Sequence, residues 1–230
     1  MSFGQNLQFL RKMQNKMTQD ELAERLGVSR QTVSKWELDS AYPEMDKLIE
    51  LCDLFSCSMD ELVRGDMNSL DESYSDIRIE TVEPFNFVKY AVVSVEPEED
   101  AIEHVSRWAK TLGIAEPKII GWDWPVLSQE QINVHNQHGY EAALVITDGV
   151  DASAIGAEVL RQEKQKYAVI TIRFPFEAPF QLIPNAYKTL MTYMHMNGIE
   201  HHYEKYTIDC FEYSYFVDGV EYMDVYIAAE

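Results

Sequence analysis

The sequence is poor in cysteine and in positive charge, and it contains no long apolar run. Its 230 residues include three cysteines, Cys52, Cys57 and Cys210, without a CxxC pair. This pattern argues against a disulfide framework and against a zinc site. No stretch approaches the ~20 apolar residues of a membrane span, and no signal peptide is recognisable. We expect a cytoplasmic protein that has no metal, no cofactor and no membrane partner.

Positive charge is concentrated near the start of the chain. The net charge is −20, yet residues 1–35 hold six basic and three acidic residues, a net charge of +3. Residues 67–230 hold 11 basic and 27 acidic residues, a net charge of −16. Because an acidic body repels nucleic acid, only the N-terminal region is suited to approach DNA phosphates.

The first 65 residues contain start and stop signals of five short helices. Thr18 and Glu21 are spaced as a capping box, and Gly27 supplies a helix stop. Ser29 is a favoured N-cap for the next helix, and a second capping box begins at Ser58. The first helix is expected to end near residue 15. Apolar residues at helical spacing are expected to face the core. They are Leu7, Leu10, Leu22, Ala23, Leu26, Val33, Trp36, Met45, Leu48, Ile49, Leu51 and Cys52.

Residues 3–65 resemble the Xre/lambda-repressor-like helix-turn-helix family. The resemblance is carried by Thr18-Gln19, Glu21-Leu22-Ala23, Leu26-Gly27-Val28-Ser29, Val33-Ser34-Lys35-Trp36-Glu37, Leu48, Leu51 and Leu62. One departure is Asp39, where the family usually has glycine, and aspartate tolerates the left-handed conformation better than most residues. The resemblance implies an all-α, five-helix domain at residues 1–65. It also implies a homodimer on a double-stranded DNA operator, because one such domain reads only a half-site.

In that family the third helix enters the major groove, and its N-terminal residues contact base edges. The resemblance therefore implies that Arg30, Gln31 and Lys35 read bases, because arginine suits guanine and glutamine suits adenine. Lys35 could instead hold a phosphate, and a plain solvated face is the alternative for all of them. Gln19 resembles the phosphate-clamping glutamine of the family. The complete predicted DNA-binding set is Gln19, Ser29, Arg30, Gln31, Thr32, Ser34 and Lys35.

Residues 66–77 are polar and acidic and lack periodicity, which indicates an exposed connection to a second domain at residues 78–230. This domain contains a weak internal duplication. Residues 89–95 and 166–172 are similar apolar, β-branched runs that are typical of buried strands. Each run is followed by a proline-containing turn and then by a helical stretch that a glycine ends.

The two halves are predicted to have the same order of elements. Helices are expected at about 98–112 and 182–196, with Ile102 and Met191 among the inward residues. Strands are expected at 118–122, 141–147, 205–213 and 222–227, and a short helix within 151–164. The repeated order predicts an α+β domain of two tandem βαββ modules, with an antiparallel sheet and both helices on one face.

Two such modules in tandem resemble the GyrI-like fold, the effector-binding domain of some AraC- and MerR-type regulators. The final strand departs from the family because residues 226–229 lack the usual proline. The resemblance implies an aromatic groove between the modules for a small lipophilic or cationic effector, often beside a buried glutamate. Glu212 is the best match to that glutamate. Alternation places it with Cys210 and Ser214 but does not decide whether their face is buried, and a surface carboxylate is the ordinary alternative.

Four further residues are candidates for the effector groove. Trp122 and Trp124 can hold an aromatic or cationic ligand through stacking or cation–π contact. Tyr187 and Met191 lie one helical turn apart and are able to form a pocket wall. Ordinary core or rim packing is the alternative for all four residues.

The sequence contains no motif with catalytic spacing, so we expect no enzyme. Some members of the GyrI-like group are thought to hydrolyse reactive ligands, and Glu212 or Glu177 with a histidine could supply that acid–base chemistry. The first hypothesis is a transcriptional regulator whose C-terminal domain senses a small molecule. The alternatives are a C-terminal domain that binds a protein partner and a hydrolase tethered to DNA. An enclosed aromatic groove favours the first hypothesis, and a flat acidic face favours a protein partner.

Overall fold

The structure, a computed structural model, describes residues 2–65, 73–75, 77–124, 126–147, 149–202 and 207–230. Two compact units are present, the first comprising Met1–Tyr74 with Tyr187–Glu200 and the second comprising Ser75–Ala186 with His201–Glu230. Most of the predicted connection at 66–77 lies outside the described residues. None of the described helices is long and apolar enough to cross a membrane.

Local side-chain interactions define the helices of the N-terminal region. Thr18 and Glu21 form the predicted capping box, Ser58 and Glu61 form the second, and Ser2 begins a third. Gly27 ends a helix in the left-handed conformation, with a φ of 64°. The helices are α1 (Phe3–Met13), α2 (Gln19–Leu26), α3 (Arg30–Glu37), α4 (Met45–Phe55) and α5 (Met59–Arg64).

Two sequence expectations in this region are corrected. Helix α1 ends at Met13 rather than near residue 15, because Asn15 and Lys16 have positive φ angles. Met45 and Ile49 are 61% and 47% exposed rather than inward. Ile49 lies across α4 from the buried Leu51, since two residues correspond to about 200° of helical rotation.

Asp39 takes the position where the related family usually has glycine, and the structure gives it a second role. Its φ is 54°, in the left-handed region. Its Oδ1 accepts a hydrogen bond of 2.8 Å from the backbone N–H of Gly4. A Cβ on Gly4 would lie 2.5 Å from the carbonyl oxygen of Glu37. Asp39 therefore joins the end of the α3 segment to the first turn of α1.

The second unit is built on one eight-stranded sheet in which every pair of neighbours is antiparallel. The strands are β1 (Arg78–Val82), β2 (Phe85–Ser94), β3 (Ile119–Asp123), β4 (His138–Ile146), β5 (Leu160–Gln162), β6 (Gln165–Arg173), β7 (Cys210–Val217) and β8 (Val220–Ala229). Their spatial order is β1-β6-β8-β7-β3-β4-β2-β5. The helices are α6 (Pro97–Thr111), α7 (Gln129–Asn133) and α8 (Pro179–Met196).

The middle of the sheet is the pairing of β3 with β7, where Gly121 lies opposite Glu212. Side chains alternate between the two faces of the sheet. One face packs against α6, through buried residues that include Val88, Val105 and Leu144. The opposite face carries an aromatic core, and its members include Phe87, Tyr167, Phe211 and Tyr226. The alternation decides which residues of β3, β4 and β7 lie on the side of the helices.

Other expectations for this unit change in detail. The segment 151–164 holds a 3₁₀ turn (Ala152–Ile155) and β5 instead of a short helix, because Gly156 ends the turn and β5 pairs with β2. The strand predicted at 205–213 is described from Cys210 onwards, and residues 203–206 lie outside the described part. Helix α8 begins earlier than predicted, at Pro179, since proline suits the first position of a helix. Ile102 and Met191, expected inward, are 37% and 50% exposed.

Candidate functional site

Helix α3 presents a polar face to solvent. Its inner side is fixed by Val33 and Trp36, which are buried. Arg30, Gln31 and Lys35 are exposed, and with Ser34 they line a shallow depression of about 300 Å³. The guanidinium of Arg30 lies 3.5 Å from Asp20, but both side chains are largely exposed. An exposed pair of this kind is weak, so the arginine is free to contact another anion.

The start of α3 is held by its own side chains. Ser29 is the N-cap, and its Oγ accepts a hydrogen bond of 3.1 Å from the backbone N–H of Thr32. The hydroxyl groups of Ser29 and Thr32 lie 2.9 Å apart, in hydrogen-bond contact. Ser29 and Thr32, two of the predicted DNA contacts, are therefore parts of the cap that begins the helix.

Gln19 is anchored to a buried ion pair. Its Nε2 donates to Oε2 of Glu37 at 2.8 Å. Glu37 also accepts from Nε and Nη2 of Arg11, at 2.6 and 3.0 Å. The side chains of Arg11 and Glu37 are only 9% and 2% exposed. Because the amide nitrogen carries two hydrogens, Gln19 retains an N–H that can face a phosphate.

The second unit contains a groove of about 950 Å³ between the N-terminal parts of α6 and α8. Its floor includes Tyr140 of β4 and Glu212 of β7, and the tyrosine hydroxyl donates to Glu212 at 3.4 Å. Gly121 makes room for this tyrosine, since a Cβ there would lie 2.1 Å from the hydroxyl oxygen. The remaining lining residues are Val95, Glu96, Pro97, Glu98, Glu99, Ile102, Glu103, Asp123, Asn136, His138, Gly139, Phe176, Pro179, Phe180, Ile183 and Pro184.

The groove is acidic. Six carboxylates and no lysine or arginine occur among its described lining residues. Burial raises the pKa of Glu98, and the charge of Asp123 raises it further. Burial also raises the pKa of Asp123, while His138 partly opposes this. Burial raises the pKa of Tyr140, and the carboxylates at 212, 98 and 123 add to the effect. The lining is therefore suited to positive charge.

Apolar side chains surround the acidic floor. Phe180 is 96% exposed, and Phe176 and Val95 are also exposed. Exposed apolar side chains that cluster at one cavity are typical of a binding surface. The groove combines negative charge with an apolar rim.

The predicted ligand residues do not all lie together. Glu212 is on the groove floor, but Trp122 and Trp124 are not among the lining residues. Gly121 and Glu212 share a face, so alternation turns Trp122 to the opposite one. There its Nε1 donates to Glu141 at 2.7 Å, and Glu141 also accepts from Lys89 at 2.9 Å. The ring of Trp124 lies near this cluster, with its centroid 6.0 Å from the Lys89 nitrogen.

Tyr187 and Met191 belong to the part of α8 that lies in the first unit. The groove is lined by an earlier part of this helix, at Phe180, Ile183 and Pro184. Glu177, the alternative acid–base residue, is exposed in a 3₁₀ turn and is not among the lining residues. Among the described residues, no group of three histidine, cysteine, aspartate or glutamate side chains could hold a metal ion.

Sequence reasoning missed most residues of the groove, including Tyr140, Glu98 and Asp123. Tyr140 lies within the apolar run of β4 and resembles an ordinary core residue. Glu98 lies in the first turn of α6, where acidic residues are common. Asp123 lies between Trp122 and Trp124, which drew attention to the tryptophans instead. Finding Asp123 and Tyr140 together requires the register of β3 with β4, in which the two residues lie opposite each other.

Comparison with known proteins confirms the helix-turn-helix domain. Residues 7–62 match the family model described as Helix-turn-helix. Over 66 residues the chain is 46% identical to the HTH-type transcriptional activator BcrR of Enterococcus faecalis. The match covers 29% of this chain and 32% of BcrR, so this chain spans about a third of that relative's length.

Two solved structures are similar over larger parts of the chain. The EcmrR–DNA complex in EcmrR-RPo covers 93% of this chain and 85% of that one, with a TM-score of 0.48 and 11% identity. The structure of SAV2435 bound to tetraphenylphosphonium covers 68% of this chain and 94% of that one, with a TM-score of 0.40 and 13% identity. A likeness of this degree says nothing about the ligand of this chain.

Proposed function

We propose that this chain is a sequence-specific DNA-binding transcriptional regulator whose C-terminal domain senses a small lipophilic cation. The observation that carries the ligand proposal is the groove with Glu212 and Tyr140 on its floor. Its described lining holds six carboxylates, an apolar rim and no lysine or arginine. The DNA-binding half of the proposal rests on the helix-turn-helix match at residues 7–62.

The DNA-binding surface is proposed to be the outer face of α3. Arg30, Gln31 and Lys35 contact bases or phosphates there, and Gln19 clamps a phosphate from the start of α2. Ser29, Thr32 and Ser34 complete the contact surface. The exposure of the three long side chains and the capped start of α3 support this assignment. The protein binds its operator as a homodimer in the cytoplasm.

The proposed division is a DNA-binding domain at residues 1–65, a connection at 66–77 and an effector domain at 78–230. In the effector domain, β2-α6-β3-β4 and β6-α8-β7-β8 have the same order of strand, helix, strand and strand, apart from the short α7. This order supports two tandem modules of the GyrI-like kind. The groove lies where the two modules meet, at the pairing of β3 with β7.

A cation suits the groove better than a neutral molecule for two reasons. A positive charge about 4 Å from a carboxylate gains up to about 4 kcal/mol at an effective dielectric constant of 20. The exposed rim ring of Phe180 offers cation–π contact. The volume of about 950 Å³ lies within the usual range for small-molecule sites.

Sensing requires that the ligand bind one arrangement of the protein better than another. The difference in binding free energy then shifts the population toward the arrangement that the ligand prefers. The coupling is reciprocal: if the ligand changes the affinity of the protein for DNA by some factor, DNA changes the affinity for the ligand by the same factor. We propose binding rather than catalysis, because the sequence contains no motif with catalytic spacing. Of the residues considered for acid–base chemistry, Glu212 and a histidine, His138, line the groove and Glu177 does not.

A protein partner is a second candidate for the groove. The observation that favours it is Phe180, which is 96% exposed at the rim and would be covered by a protein surface. A partner segment with a basic side chain between apolar ones would match the same lining. Competition between a small cation and the partner would show that both use the groove.

The substitution Glu212→Gln is expected to weaken tetraphenylphosphonium binding about tenfold or more, which corresponds to at least about 1.4 kcal/mol. Glutamine keeps the size of the side chain and an acceptor for Tyr140, so only the charge is removed. Neutral triphenylphosphine oxide should bind wild type and variant alike. Calorimetric titration of the full chain measures both affinities, with Glu116→Gln, an exposed position outside the described lining, as the charge-matched control. Parallel losses for both probes would remove Glu212 as the cation partner.

A further inference from the structure

The groove offers two separate positions for positive charge. We propose that its ligand is a dication, with one cationic centre beside Glu212 and the other beside Glu98 and Asp123. This inference rests on the proposed cation-binding function of the groove and specifies the class of ligand.

The first position is on the groove floor. Glu212 accepts a hydrogen bond of 3.4 Å from the hydroxyl of Tyr140, which is only 6% exposed. The bond orients the carboxylate. A single cationic centre is accommodated there by the charge of the carboxylate.

The strand register fixes the second position. Gly121 pairs with Glu212 across β3 and β7, and Asp123 lies two residues further along β3. Residues two apart on a strand point to the same face. Asp123 is thus a diagonal neighbour of Glu212, and such neighbours are about 7–8 Å apart. A separation of this size leaves room for a separate cationic centre beside each carboxylate.

Glu98 strengthens the second position. It lies in the first turn of α6 and lines the same groove as Asp123. The charge of Asp123 raises the pKa of Glu98, so the two carboxyl groups interact electrostatically. Burial raises the pKa of both groups, because the ionised carboxylates lose part of their hydration in the folded protein. A cationic centre placed beside them offsets this loss.

The positive groups already at the groove are too weak to fill this role. Each helix N-terminus contributes about half a unit charge, so α6 and α8 together contribute about one. His138 is the remaining titratable cation of the described lining, and its effect on Asp123 is smaller than that of burial. Six carboxylates face these groups. The balance favours a ligand with more than one positive charge.

The apolar side chains explain how the two centres are joined. Ile102, Ile183 and Phe180 line the groove together with the carboxylates. A hydrocarbon spacer between two cationic centres would cover these side chains and remove their apolar surface from water. A lipophilic dication therefore matches both the charge and the walls, whereas a hydrophilic dication matches only the charge.

The test compares cations that differ only in the second charge. Hexamethonium carries two trimethylammonium groups on one hydrocarbon spacer, and hexyltrimethylammonium carries one. Decamethonium and decyltrimethylammonium form a second pair with a longer spacer. Calorimetric titration of the full chain at fixed ionic strength should give about tenfold tighter binding for at least one dication than for its matched monocation.

Two isosteric variants locate the second centre. Asp123→Asn and Glu98→Gln should each bring the ratio of dication to monocation affinity close to one. Glu116→Gln removes one charge outside the described lining and should keep the wild-type ratio. Circular dichroism should report native structure for each variant, since the side chains keep their size.

The outcomes separate the two proposals. Equal affinities for dication and monocation at both spacer lengths would overturn the dication inference while cation sensing stands. A wild-type ratio in both groove variants would overturn the assignment of Glu98 and Asp123. Failure of all four cations and of tetraphenylphosphonium to bind would overturn the proposed cation-sensing function itself.

Discussion

Arg11→Ala is expected to lower the free energy of unfolding of the first unit by about 3–5 kcal/mol. The guanidinium donates twice to Glu37, at 2.6 and 3.0 Å, and once to the carbonyl oxygen of Met17, at 2.5 Å. Both ionic side chains are buried. Truncation would leave the Glu37 carboxylate in a poorly solvated site without its main partner, which costs more than the attraction alone.

A double variant provides the sharpest control for this prediction. Arg11→Met combined with Glu37→Met removes both charges, so it should destabilise the unit less than Arg11→Ala does. Arg64→Ala breaks a highly exposed ion pair with Asp60 and should have a much smaller effect. Hydrogen exchange of the α1 and α3 amides in the full chain reports the opening free energy. Equal effects of Arg11→Ala and Arg64→Ala would show that the buried pair contributes little.

Replacing Arg30 and Gln31 together by alanine is expected to reduce the preference for the operator over random DNA by about 30-fold or more. A good bidentate side-chain–base pair contributes about 1–3 kcal/mol of discrimination, and the variant removes two candidates. Both side chains are exposed on the outer face of α3, so their removal should leave the fold intact. The loss should fall on sequence preference more than on nonspecific affinity.

The operator for this measurement comes from selection of random duplexes with the wild-type chain. Binding of wild type and variant to the selected and scrambled duplexes is then compared at one salt concentration, because phosphate contacts depend on salt. Arg64→Ala removes an exposed arginine from α5 and is the charge-matched control. An unchanged ratio of selected to scrambled affinity in the double variant would exclude these residues as base readers.

The helices of the N-terminal region were predictable because their signals are local. Thr18 and Glu21 are three residues apart, and their two reciprocal hydrogen bonds form in the structure as the sequence indicates. The orientation of α4 was less predictable, since Met45 and Ile49 fit an apolar pattern but lie exposed. A short helix with apolar residues on several sides does not reveal which side is buried.

The groove was predictable only in part, because it depends on pairing between distant strands. Glu212 was found by resemblance, and its neighbour Tyr140 was not. Trp122 was assigned to the groove although it lies on the other face from Gly121. A shift of one residue in the strand register moves a side chain to the opposite face of the sheet. The register of β3 with β7 pairs Gly121 with Glu212, which are separated by more than half of the domain's sequence. Phe180 was missed because α8 begins earlier than its periodicity indicates.

The most direct test of the account is the affinity of the full chain for its selected operator with and without saturating tetraphenylphosphonium. Fluorescence anisotropy of the labelled duplex gives the Kd in each case, in parallel for wild type and Glu212→Gln. Coupling between two sites typically changes affinity by about 5–150-fold, and we expect a change in this range for wild type and a much smaller one for the variant. Identical DNA titrations of wild type, at cation concentrations that calorimetry shows to be saturating, would contradict the proposal that the groove controls DNA binding.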